Sequence, residues 1–224
     1  MGYKKAYPIE QFPLFVMNKS VSWTALWGFT IAMVPGILAR IHRAWHCDSL
    51  IDKPVWLKNF LACRKHLGLV SLFFLGAHMV MSALMFSIAY YDRFFMDPED
   101  PMSRMTVNGE SSFMFGSFAF NLYVLMGVCS LPCVAQAMTK GQWSFVYGPV
   151  AWTALIFGTS HVMCQGIGVT WNRAPWPNSG GLPPITLIAC LLPWSVMGLK
   201  VFQVFFVWVL HFSAKKQVAA KWAA

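Results

Sequence analysis

The chain has 224 residues, of which 57% are hydrophobic and 11% charged, whereas soluble domains carry about a quarter charged residues. That composition excludes a water-soluble globule, a disordered polymer and a disulfide-stapled secreted scaffold. The 17 Lys and Arg outnumber eight Asp and Glu for a net charge of +9, which is read as contact with anionic membrane lipid and not nucleic acid, since no nucleic-acid module or βαβ pattern is visible.

The charges are clumped. Charge-free runs cover 20–39, 66–91, 111–139, 141–172 and 174–199, each long enough to cross a bilayer at ~20 residues per span. They predict an all-α polytopic membrane bundle with about five transmembrane helices, at 21–41, 62–90, 112–138, 145–169 and 184–213. Residues 1–20 are expected to be an external N-terminal segment, 21–213 the transmembrane domain, and 214–224 a cytoplasmic tail. The first segment has no apolar core or cleavage site of a signal peptide. Its Asn18-Lys19-Ser20 spells a glycosylation acceptor, but one set against the first span. Orientation follows the Lys and Arg count: ten lie on the side of Arg40, Arg43, Lys53, Lys58, Arg64, Lys65, Lys140 and the tail, against six on the side of Lys4, Lys5, Lys19, Arg93, Arg104 and Arg173. The positive-inside rule then makes the C-terminus cytoplasmic. Cys47 and Cys63 flank the basic loop, while Cys129, Cys133, Cys164 and Cys190 lie in apolar runs and are read as small packing residues.

Six histidines are present, and an imidazole deep in a membrane is a functional hypothesis by default. His42, His46, His66 and His211 fall near the cytoplasmic ends, where solvated side chains are expected. His78 and His161 lie about 24 Å in, taking ~1.5 Å per residue from helix starts near 62 and 145. Their helices run in the same direction, so both rings share one level. Two such imidazoles can hold one b-type haem by its axial positions; two unrelated polar contacts are the alternative. Small residues beside them, Gly76 and Ala77, Gly158 and Ser160, would let a flat macrocycle approach. His66 has no counterpart at Tyr147-Gly148-Pro149, so one haem is the limit. On the cytoplasmic side Arg64, Lys65 and Trp143, with Lys200 deep in the last span, offer cations and a ring for a dinucleotide. Ordinary positive-inside decoration is the alternative there.

These residues resemble the membrane domain of the STEAP metalloreductases, within the ferric reductase-like transmembrane superfamily. Lys53-Pro54-Val55-Trp56-Leu57 and Cys63-Arg64-Lys65-His66-Leu67-Gly68-Leu69 are similar to the family's F-P-x-W-L and C-R-K-Q-L-G-L. The first haem histidine of the family then falls on His78. Ser130-Leu131-Pro132 onward aligns the second with His161, and Pro35-Gly36, Pro183, Lys200 and Trp222 extend the match over roughly residues 24–222. The resemblance implies one haem b held by His78 and His161, FAD on the cytoplasmic side, and a homotrimer. It also implies electrons passing from a cytoplasmic donor through FAD or Trp143 to the haem and out to Fe³⁺, Cu²⁺ or O₂.

Three departures stand beside the match. The chain shows five spans where the family has six. It shows no nicotinamide-binding domain, so an electron-transfer subunit served by another reductase is expected instead of a self-sufficient enzyme. Finally, Thr139-Lys140-Gly141-Gln142-Trp143 replaces the family's N-W-R-E-F, which alters the flavin's polar contacts. The rival reading is a non-catalytic accessory or assembly subunit of a larger, hetero-oligomeric membrane complex. A transporter ranks lower, because no second intramembrane charge pairs with Lys200 and no inverted repeat is seen.

Overall fold

The computed structural model describes residues 12–46, 53–86, 91, 94–97, 99–100, 102–167 and 183–223. Helix α1 (Phe12–His46) starts well ahead of the expected residue 21. Pro13 sits in its first turn, where the missing N–H has no helical partner to lose. Helix α2 (Val55–Leu84) also starts early, directly after Pro54, whose ψ of 147° is not helical. Helix α3 (Val107–Cys129) is opened by Thr106, whose hydroxyl accepts the Gly109 N–H at 3.2 Å. It stops short of the expected 138 because Leu131 precedes Pro132 and is held extended at ψ 137°, as a residue before proline prefers. Pro132 then begins the short helix α4 (Pro132–Ala137).

The fourth expected span is met by three consecutive pieces: α5 (Lys140–Phe145), a π-helical turn (Val146–Val150) and α6 (Ala151–Gly166). Pro149 lies in the π turn. Its ring crowds the carbonyl four residues back and it has no N–H to give, and widening the turn relieves both. Helix α7 (Ile185–Ala223) contains Pro193 and runs beyond the expected 213.

Four helices, α1, α2, α3 and α7, are each long and apolar enough to cross a membrane. The remaining expected crossing, the fourth, corresponds to the continuous run from α5 to α6, whose pieces are individually shorter. Among the described residues the structure is all-α, with one isolated antiparallel bridge between Phe95 and Met105. The chain is an integral multi-pass membrane protein.

Helix α1 is central, packing along α2 on one side and α7 on the other, while α3 packs along α6 and α6 also meets α7. Phe29, Met33 and Ile37 of α1, Tyr123 and Met126 of α3, and Ala151, Ala154 and Leu155 of α6 form the core. Buried hydroxyls are satisfied locally: Thr30, Ser71 and Thr159 donate to the carbonyls of Leu26, Leu67 and Leu155 at 2.7 to 2.8 Å. With no water in the hydrocarbon, that bond to the preceding turn lets a polar residue sit inside. Gly28 brings α1 against α2, since a Cβ there would lie 2.5 Å from Ser71 Oγ; small residues permit such close crossings. The opposite face of α2 is apolar and exposed, as at Phe73 and Leu84, which suits lipid contact. Of the cysteines, Cys129 and Cys190 are buried, whereas Cys63 and Cys133 are exposed and so do not pack in the core; Cys47 lies outside the described residues.

Candidate two-histidine metal centre

Helices α2 and α6 bring the rings of His78 and His161 to a centroid separation of 6.3 Å, with planes at 70°. Metal–imidazole bonds of ~2 Å on either side place two ring centres about 6 Å apart when one metal atom lies between them. Each ring is oriented from behind. Nδ1 of His78 lies 2.7 Å from Oδ1 of Asn18, and because that oxygen can only accept, Nδ1–H donates. Asn18, 3% exposed, is itself fixed by donating to Ser82 Oγ at 3.0 Å and to Tyr91 OH at 3.2 Å. On the other side Nδ1–H of His161 donates to the main-chain oxygen of Ser112 at 2.7 Å. The Ser112 hydroxyl donates to the His161 carbonyl at 3.3 Å. Both imidazoles therefore carry their proton on Nδ1 and keep the Nε2 lone pair. This is the tautomer a metal needs, held by the kind of outer hydrogen bond that metal-binding histidines use. Nε2 of His161 accepts from the Gln165 amide at 2.9 Å.

The rings face a cavity of about 310 Å³, within the range of cofactor pockets, ~300 to 1,000 Å³. Its walls are mostly apolar, with Phe15, Trp23, Leu75, Phe94 and Tyr123 among them. At one end Tyr91 and Phe94 stack at 5.5 Å and 3°, and the Phe94 carbonyl accepts the Thr106 N–H at 2.7 Å, tying this loop to the start of α3. Gly116 of α3 lies against His161, and a Cβ there would come within 2.7 Å of Nδ1. Of the small residues singled out in the sequence, Gly158 lines the cavity, but Gly76 faces open space.

The donor set is two neutral imidazoles. Among the described residues no three or more His, Cys, Asp or Glu side chains converge, so a zinc-type centre with four protein ligands does not fit. Two neutral imidazole donors in a mostly apolar cavity would suit a metal that brings its own further donors, as haem does. The remaining histidines lie elsewhere: His46, His66 and His211 are exposed and His42 is half-buried. Sequence reasoning missed Asn18, Ser112, Gly116 and Gln165. Asn18 figured there only as part of a formal glycosylation acceptor discounted for abutting the first span, and its burial in a helix and its three side-chain bonds agree with that discount. Gln165 carried a signal, being four residues after His161 in a charge-free run. Arg93 and Arg173, expected at the external face, lie outside the described residues.

A second cavity, of about 250 Å³, is lined by Arg64, Lys65 and Trp143. Arg64 rests over Gly36, where a Cβ would lie 3.4 Å from Nη1. Trp143 is presented by α5, which begins with a capping box: Thr139 Oγ1 accepts the Gln142 N–H at 3.3 Å, and Gln142 Oε1 accepts the Thr139 N–H at 2.8 Å. The altered loop is thus a well-formed helix start. The Trp143 ring lies 4.2 Å from that of Tyr147, whose hydroxyl donates to Met126 O at 3.0 Å and meets Ser130 Oγ at 2.5 Å. Lys200 is not brought here. It projects from α7, donates to Gln203 Oε1 at 2.7 Å and lies 5.8 Å from the Trp152 ring. Tyr123, packed on Phe29 with centroids 4.0 Å apart, lines both cavities.

No protein-family model matches the chain. The metalloreductase STEAP2 of Homo sapiens is 27% identical over 174 residues, covering 73% of this chain and 35% of that protein. The Mus musculus STEAP2 matches to the same extent. The metalloreductase STEAP3 of Rattus norvegicus is 27% identical over 201 residues, covering 82% of this chain and 39% of its own length. The chain has a STEAP-like membrane domain. It spans little more than a third of the length of these curated relatives.

Proposed function

We propose that this STEAP-like chain is a b-type haem electron-transfer protein that moves electrons across the membrane, from a cytoplasmic donor to an external acceptor such as Fe³⁺, Cu²⁺ or O₂. The observation that carries it is the pair of imidazole rings 6.3 Å apart, each with its proton held on Nδ1 by Asn18 or Ser112 and its Nε2 lone pair kept for a metal. A haem held there supplies reversible one-electron chemistry at iron. The protein's own contribution is to fix tautomer and ring orientation through Asn18 and Ser112, and to keep water out with aromatic walls. The relatives' printed name, metalloreductase, supports a metal ion as acceptor.

The inner cavity supports FAD as the cofactor on the donor side: Arg64 and Lys65 would neutralise its pyrophosphate and Trp143, 41% exposed, would stack on a ring. Lys200 is left to helix packing. The Lys and Arg excess on that side supports a cytoplasmic position for the cavity and the C-terminus, where the donor supplies electrons. Assembly is as a homotrimer or with other membrane subunits.

The test is an air-oxidised against dithionite-reduced absorption spectrum of the purified protein, with haem and flavin quantified per chain. One low-spin haem is expected in the wild type and none in His78→Ala or His161→Ala. A wild type without haem, or variants that both keep the low-spin spectrum, overturn the reading; the first outcome would leave an accessory membrane subunit.

A further inference from the structure

The two ligand nitrogens are not equivalent. Among the described residues nothing bonds Nε2 of His78, whereas Nε2 of His161 is engaged by the Gln165 side-chain amide at 2.9 Å. With Nδ1–H committed to the Ser112 carbonyl, Nε2 has one lone pair and is the acceptor. An amide N–H and a metal ion compete for that same pair. Gln165 stands one helical turn after His161 on α6 and lines the same cavity, so the competition is built into one helix face.

We propose that Gln165 is a latch on the metal-binding nitrogen of His161: it occupies the lone pair of the unloaded ring, which the Ser112 carbonyl already orients, and must release Nε2 before iron can bind. The two sides of the centre then load unequally. His78 would offer its unengaged lone pair to the metal first, and His161 would add its own once the latch opens. The inference rests on the haem reading and concerns a positioning residue, not a ligand. It gives Gln165 an effect opposite in sign to that of a structural contact. Removing a packing or orienting residue weakens cofactor binding. Removing a competitor strengthens it, by a few-fold to about tenfold, since the latch is one neutral hydrogen bond.

The experiment is equilibrium and stopped-flow titration of haem-depleted protein in detergent with haemin, followed by the low-spin absorption band. Wild type is compared with Gln165→Met, which keeps the length and apolar bulk without the donor, and with Gln165→Asn, which keeps the amide but falls short of Nε2. Both variants are expected to bind haemin three- to tenfold more tightly and to lose most of the slow phase assigned to closure on His161. Unchanged or weaker binding, with elution and helicity as in wild type, overturns the latch. His78→Ala and His161→Ala, run beside them, separate the two claims. If those variants lose the low-spin band while the Gln165 variants gain nothing, the haem centre stands and the latch falls. A wild type that takes up no haemin sinks both.

Discussion

Asn18 makes the most demanding test of the centre, because it lies far from either ligand in sequence and reaches the centre through the Nδ1 of His78. Replacing it by Leu removes the acceptor of the 2.7 Å bond from His78 Nδ1 and strips Ser82 and Tyr91 of a shared partner. The imidazole then loses what fixes its tautomer, and a ring that protonates Nε2 instead cannot bind a metal. Loss of such an outer partner costs metal-binding sites about 10- to 100-fold in affinity, which corresponds to ~1.4 to 2.8 kcal/mol at 1.4 kcal/mol per factor of ten. Asn18→Asp keeps an acceptor at the same reach and adds negative charge facing the Nδ1 proton. It should hold haemin within a few-fold of wild type while lowering the midpoint potential, because a more anionic ligand environment favours the oxidised iron. The assay is haemin titration together with a spectroelectrochemical titration of each variant. Wild-type affinity in Asn18→Leu, or a raised potential in Asn18→Asp, would refute the orienting role.

The remaining expectations concern backbone approach and capping. Gly116→Ala would set a Cβ 2.7 Å from His161 Nδ1 and should reduce haem content per chain severalfold, whereas Gly76→Ala, with nothing within 4 Å of its Cβ, should leave it unchanged; equal effects would show that neither glycine is there for the ring. Thr139→Ala removes the hydroxyl that opens α5 and should cost ~1 kcal/mol, the usual value of an N-cap, read as a lower thermal midpoint together with more exposed Trp143 fluorescence. A stable variant with shifted fluorescence would mean that the cap positions Trp143 without contributing to stability.

The pairing of His78 and His161 was legible because it needs only two charge-free runs, two helix starts and a fixed rise per residue, and the rings do meet at 6.3 Å. Their common level followed from two helices running in the same direction. What the sequence could not display were the partners behind the rings, since Asn18 is 60 residues from His78 and Ser112 is 49 from His161, and helix spacing carries no information across such gaps. The breaks at Leu131 and Pro149 were readable from proline chemistry, yet an apolar run reads straight through a proline, so 112–138 and 145–169 were taken as single spans. Lys200 was grouped with Arg64 from its depth in the last span and from the resemblance. The face of α7 that meets α1 and α6 turns it toward Gln203 and Trp152 instead.

The ring of Tyr123 has a consequence for the electrical behaviour of the membrane. It lines both cavities and packs on Phe29 and other core side chains. Packed aromatic and aliphatic matter carries tunnelling electrons but not hydrated ions. On the proposed path each electron that leaves outward is therefore an uncompensated charge, worth ~2.3 kcal/mol for every 100 mV it crosses. With the cytoplasm negative, the resting potential drives that transfer, and turnover should discharge the membrane unless a separate carrier returns the charge. Reconstituted vesicles containing a potential-sensitive dye would register the protein as a current.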